Sequence, residues 1–170
     1  DNDAAGITVS PIAGLTTTAI GELTDTQVAA LTAAQVASLS IDQIGSLTST
    51  EIQAFTTTQA DALTSAQLGG LTTTELGLFS GAQIGALTTT QVQGLTTDQL
   101  NAVSIDLLDA LDLSKFSGAQ VGGLTTTAIA SLSETQVGAL TATQVGALSA
   151  DQVETLTTTE LGNLTADQAG

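Results

Sequence analysis

The sequence predicts an all-α solenoid of very short helices. Three observations carry that prediction. The chain repeats every eight residues from Leu15 onward, with the consensus L-T-T-T-Q-V-G-A. Each position has a narrow alphabet across the 18 full octads: Leu, Phe or Val at position 1, Ser or Thr at position 2, Gln or Glu at position 5 in 15 of them, and Val, Ile or Leu at position 6 in 17. Ser/Thr followed three residues later by Gln/Glu is the capping box of a helix N-terminus.

Each element follows from that signal. In the octad 87–94, the Thr88 hydroxyl should accept from the Gln91 amide, and the Gln91 side chain should reach back to the Thr88 amide. Leu87 before the cap and Val92 in the helix form a hydrophobic staple. A helix that restarts every eight residues is at most about six residues long. One continuous helix is a poor alternative. Eight residues advance it by about 800°, so an apolar stripe would drift by about 80° per repeat. A β-solenoid is the serious rival, because Thr, Val and Ile favour strands. Positions 1 and 6, however, would then point to opposite faces. Disorder is opposed by the mean hydropathy of +0.34 and by the position-specific alphabet.

Four segments follow. Residues 1–14 lie outside the repeat. Twelve octads fill 15–110, five residues (111–115) break the phase, and octads resume over 116–170. The alternation of Ile7 and Val9 with Thr8 and Ser10, closed by Pro11, predicts a short N-terminal strand. Val103 to Lys115 is the most apolar stretch and reads as a longer helix or a packed corner that shifts the phase. Asp106, Asp109 and Asp112 recur every three residues there, as a cation site or, more simply, a solvated face. Small residues at position 8, such as Ala86 and Ala147, should let neighbouring turns approach. Thr at positions 3 and 4 should face water.

Composition narrows function. The chain has 170 residues, 17 acidic groups against one Lys, and neither His nor Cys. Imidazole or thiol catalysis and the usual zinc and haem ligands are therefore excluded. A phosphate-binding surface is absent, so nucleic acid is not an expected partner. No apolar run approaches the ~18 residues of a membrane span. The position 2 hydroxyls are committed to capping, and an enzyme is not expected. Asp1, Asn2 and Asp3 offer hard oxygen ligands suited to calcium.

The octads LTTTQVQG (87–94) and LTATQVGA (140–147), with LTADQ (164–168), resemble the repeats of very large, repetitive, secreted bacterial surface proteins of the RTX or type I-secreted adhesin kind. The opening DNDAAGITVSPIAGLTTT is similar to a calcium-bound boundary of a Calx-beta-like module, although the sandwich strands that should follow are missing. The resemblance implies an extracellular or cell-surface setting, with no export signal within these residues. LT-x-x-QV also resembles the start of TAL-effector repeats, but over six residues only, without the base-reading loop or the basic charge. The expected role is a stalk, spacer or filament body whose partners are copies of itself or adjacent domains, head to tail. The alternative is an extracellular binding module for glycan, ice or a cation-bridged surface.

Overall fold

The computed structural model describes residues 12–165 and Gln168. The chain is a solenoid of short helices. Eighteen α-helices of four to six residues lie wholly within the described residues, and no strand occurs among them. The β-solenoid alternative is thereby overturned. The N-terminal strand expected at 7–10 lies outside the described residues.

Each helix starts as its sequence dictates. The position 2 residue is extended, as Thr88 is at φ −73° and ψ 163°, and its hydroxyl accepts from the amide three residues on. Capping boxes form in all fifteen octads that carry Gln or Glu at position 5. The three helices without one start at Thr17, Ile105 and Thr126, where position 5 is Ala19, Leu107 or Ala128. The helix then ends because the next position 1 residue returns to extended backbone; Leu95, for example, has φ −68° and ψ 139°. Its amide bonds back to the previous position 6 carbonyl, as Leu95 does to Val92 at 3.0 Å. No described residue needs a positive φ to make these corners.

Three octads close one coil. Helix Thr89–Gly94 packs on Ser65–Gly70, and Thr57–Ala62 packs on Ala33–Ser38. Thr126–Ala130 meets Ala150–Thr155 by the same step of 24 residues. Each octad is one side of a three-sided coil, and like sides stack. Positions 1 and 6 point inward and form one continuous core, with Val28, Val36, Ile44 and Val92 fully buried. Phe55 and Phe79, one coil apart, stack as a tilted pair at 6.4 Å. One octad could not fold alone. Burying a Leu and a Val yields about 3–6 kcal/mol, against about 8–16 kcal/mol for ordering eight backbone units. Stacking closes the gap.

Close stacking depends on positions 7 and 8. A Cβ on Gly69 would stand 2.4 Å from the Gly94 carbonyl oxygen, and one on Gly122 would stand 2.5 Å from that of Ala147. Position 8 is as close-packed, as expected: a Cβ on Gly94 would stand 2.5 Å from the Ser65 carbonyl oxygen, so small residues at both positions 7 and 8 let the coils approach.

The stretch 103–115 is not a longer helix. Helix Ile105–Ala110 has six residues, like its neighbours, and Leu113–Lys115 is a single 3-10 turn. That turn occupies one side of the coil, against Thr89–Gly94. Residues 111–115 are a truncated octad, and the coil containing them has 21 residues rather than 24. The apolar residues expected to extend a helix are used to fill the core: Leu108, Leu111 and Leu113 are buried.

Candidate functional site

The repeated chemistry of the molecule lies at position 5. Each Gln uses its carbonyl oxygen for the cap of its own helix, as when Gln59 Oε1 accepts from the Thr56 amide at 2.8 Å. Its Nε2 crosses to the preceding coil. Gln59 Nε2 donates to the carbonyls of Val28 and Leu31, each at 2.9 Å. Gln67 reaches Val36 and Leu39 at 3.0 and 2.7 Å, and Gln99 reaches Leu68 and Leu71 at 2.8 and 2.7 Å. Among the described residues ten glutamines, from Gln43 to Gln168, make this bond to a position 1 carbonyl of the preceding coil. Nine of these glutamines are buried and Gln168 is half-buried, so the bonds run inside the stack.

The only lysine joins the same series. Leu111 and Asp112 hold positions 1 and 2 of the truncated octad, and Lys115 holds position 5. Lys115 Nζ donates to the Leu87 carbonyl at 2.6 Å, across the 28 residues that separate Gln59 from Leu31. Asp112 replaces the usual Ser/Thr cap, accepting from the Ser114 amide and hydroxyl at 3.0 and 2.6 Å. The Ser114 hydroxyl is the main cause that holds the Asp112 carboxyl below its ordinary pKa; burial opposes, and the Ser114 amide and the Lys115 charge assist. Two position 7 amides clamp the shortened coil from the other side. Gln93 Nε2 donates to the Lys115 carbonyl at 3.3 Å, and Asn101 Nδ2 to that of Gly123 at 2.9 Å. Asn101 Oδ1 also accepts from the Thr125 amide at 2.8 Å. It thereby supplies from the neighbouring coil the capping bond that Ala128 cannot.

Glutamate breaks the series at three places: Glu51, Glu75 and Glu160. Each caps its helix, with Oε2 accepting from the amide of Thr48, Thr72 or Thr157 at 2.6 to 2.7 Å. A carboxylate has no N–H to send across the coil. By repeat equivalence the carbonyls without that donor belong to Leu23, Leu47 and Leu132.

One of these places opens to solvent. A hollow of about 450 Å³ is lined by Thr17, Asp42, Gly45, Ser46, Thr72 and Glu75. Ile41 leans over Gly70 beside it, where a Cβ would come within 2.6 Å of Ile41 Cδ1. Glu75 Oε1 is 3.4 Å from where a Cβ on Gly45 would stand. That is the peptide stretch equivalent to Ala29, which Gln59 Nε2 approaches.

Residues 113–150 match the family model described as the ALTTAQ repeat. Those six letters correspond to position 8 followed by positions 1 to 5, as in Ala86-Leu87-Thr88-Thr89-Thr90-Gln91. The match spans the 3-10 turn and the octads that follow, so the ALTTAQ segment includes the inter-coil bonds of Gln120 and Gln144. No curated protein and no solved structure matches the chain.

The expected metal residues Asp1, Asn2 and Asp3 lie outside the described residues. Asp106, Asp109 and Asp112 are not gathered into one site. Asp109 Oδ1 accepts from Gln136 Nε2 at 3.2 Å, Asp112 caps its own turn, and Asp106 faces solvent. Among the described residues no helix is long and apolar enough to cross a membrane. The inter-coil role of position 5 was missed from sequence. Its signal was the excess of Gln over Glu, 12 against 3 in the full octads, although either residue completes a capping box.

Proposed function

We propose that this chain is a non-catalytic structural repeat, a stalk or spacer of a secreted bacterial surface protein, built to be extended by stacking. The observation that carries the reading is the recurring coil-to-coil interface. Apolar residues at positions 1 and 6 and the position 5 amide recur on each side, so any coil can serve as the seat of the next. Heterologous contacts that do not close give filaments. The extracellular setting rests on the resemblance of the octads to secreted surface repeats.

Electron microscopy and sedimentation of the purified chain test this reading. Rods of constant width whose length grows with concentration are expected, with a single copy contributing about 50–65 Å if coils stack at the roughly 8–10 Å of packed helices. Discrete compact particles at every concentration would favour the binding-module alternative instead.

A further inference from the structure

We propose that Glu51 is an acid-operated latch between coil 15–38 and coil 39–62: on taking up a proton, its carboxyl donates to the Leu23 carbonyl and ties the two coils as a glutamine does elsewhere. The inference rests on the coil geometry and is independent of the stalk reading. At eleven described places an N–H donor, ten Gln amides and the Lys115 ammonium, sits against a position 1 carbonyl of the preceding coil. Glu51 holds the same place on helix Ser49–Gln53, which packs on Asp25–Ala29 one coil back. It caps as the glutamines do. Its Oε2 accepts from the Thr48 amide at 2.6 Å, and its amide donates to the Thr48 hydroxyl at 3.3 Å. Oε1 therefore takes the place of a glutamine Nε2. By repeat equivalence with Gln59, Val28 and Leu31, it lies toward the carbonyls of Ile20 and Leu23, 31 and 28 residues back.

That arrangement sets oxygen against oxygen. The Ile20 carbonyl already accepts from the Leu23 amide at 3.1 Å, and the Leu23 carbonyl receives no donor among the described residues. Glu51 is 4% exposed. The coils also meet closely beside it, since a Cβ on Gly21 would stand 2.9 Å from the Ser46 carbonyl oxygen. Two acceptors facing each other in a buried seam are both under-satisfied. A protonated carboxyl carries one O–H donor and keeps an acceptor, which is the pattern of the glutamine head group. The proton comes from solvent onto Oε1, and nothing leaves in exchange. The chain's single lysine cannot take its part, because Lys115 is committed to the Leu87 carbonyl at 2.6 Å. The titratable groups on the surrounding elements are Asp25 on the helix one coil back, Glu22 before that helix, Asp42 and Asp61 on the adjoining octads, and Glu75 one coil on; all are acidic, and none offers a counter-charge. Glu75 differs from Glu51 in being half-buried beside the hollow, where its carboxylate reaches solvent. The added bond exists only on the acid side. Its contribution to stability therefore appears as pH falls through the titration of Glu51 and is lost as pH rises.

The test follows the intact, isotope-labelled chain from about pH 7 to about pH 4, which reaches the ordinary glutamate range. Carbonyl carbon shifts report the latch, because a carbonyl that gains a donor moves downfield. The Leu23 carbonyl should move downfield in step with the Glu51 carboxyl, while that of Leu31, already served by Gln59 at 2.9 Å, should stay. In Glu51→Gln the Leu23 carbonyl should hold its acid position at neutral pH and not respond to acidification. Asp98→Asn, which removes the same charge from an exposed site elsewhere, should leave the Leu23 response as in the wild type. The urea midpoint of Glu51→Gln should exceed that of the wild type at neutral pH, and the gap should narrow on acidification. A Glu51 carboxyl that titrates while Leu23 stays would overturn the latch. So would an equal Leu23 shift in Glu51→Gln, which would assign it to the diffuse acidic field. A gap in urea midpoint that held constant across the range would overturn it as well.

Discussion

A glutamine at position 5 does two jobs with one head group. Its oxygen holds the start of its own helix, and its nitrogen ties that helix to the coil below. The first job was legible in the sequence, because cap and partner are three residues apart. The second was not, because the carbonyls it reaches lie 28 and 31 residues away, as for Gln59, and no local pattern marks that distance. Replacing one residue at a time separates the jobs. Glu51 is 4% exposed and already caps its helix. Glu51→Gln keeps the cap and adds N–H donors facing Leu23, so it should raise stability by about 0.5–1.5 kcal/mol. Gln59→Glu keeps the cap and removes both inter-coil bonds, and it should lower stability by about 1–3 kcal/mol. Urea unfolding of the two variants measures both signs. Equal effects in one direction would mean that the inter-coil bonds contribute nothing.

At the scale of one octad the sequence was nearly complete. The cap, the staple and the length limit of about six residues all derive from positions 1, 2, 5 and 6. Helix 89–94 follows them: Leu87 and Val92 are buried, while Thr88, Thr89 and Thr90 are exposed. Thr88→Ala should cost about 0.5–2 kcal/mol through the lost cap. Leu87→Ala should cost about 2–5 kcal/mol through the cavity it leaves. Thr89→Ala should be near neutral. Thermal unfolding that ranked Thr89→Ala beside Leu87→Ala would contradict this assignment of faces. What the octad hid was position 7. A glycine there reads as a weak helix former or a stop signal, yet no described glycine has a positive φ. Gly69 and Gly122 are glycine because the carbonyl of another coil fills the space of a side chain. Contacts 25 residues distant set that choice, beyond anything a local signal reports.

The whole molecule adds one number that the octad does not contain, namely three sides to a coil. Octads that are nearly alike give the same periodicity for two, three or four sides, so the count becomes visible only through which helices touch. The truncated octad was the best available clue. Leu111, Asp112 and Lys115 keep positions 1, 2 and 5, and Asp, like Ser and Thr, is a good N-cap. The stack absorbs the loss of three residues because each side interacts mainly with the sides directly above and below it. Leu113 takes the buried place of position 6, and its carbonyl receives Gln144 Nε2 at 2.7 Å, as a position 6 carbonyl does elsewhere. If the coil is truly modular, the truncation is dispensable to folding. Replacing residues 111–115 by a full octad of consensus sequence should preserve the solenoid. The new Val would take the core place that Leu113 now fills, and the new Gln would bond to the Leu87 carbonyl in place of Lys115. Circular dichroism should show unchanged helix per residue, and the melting temperature should hold or rise. Loss of cooperative melting in that variant would mean that the 21-residue coil fixes the register of the two blocks it joins, contrary to a stack of interchangeable sides.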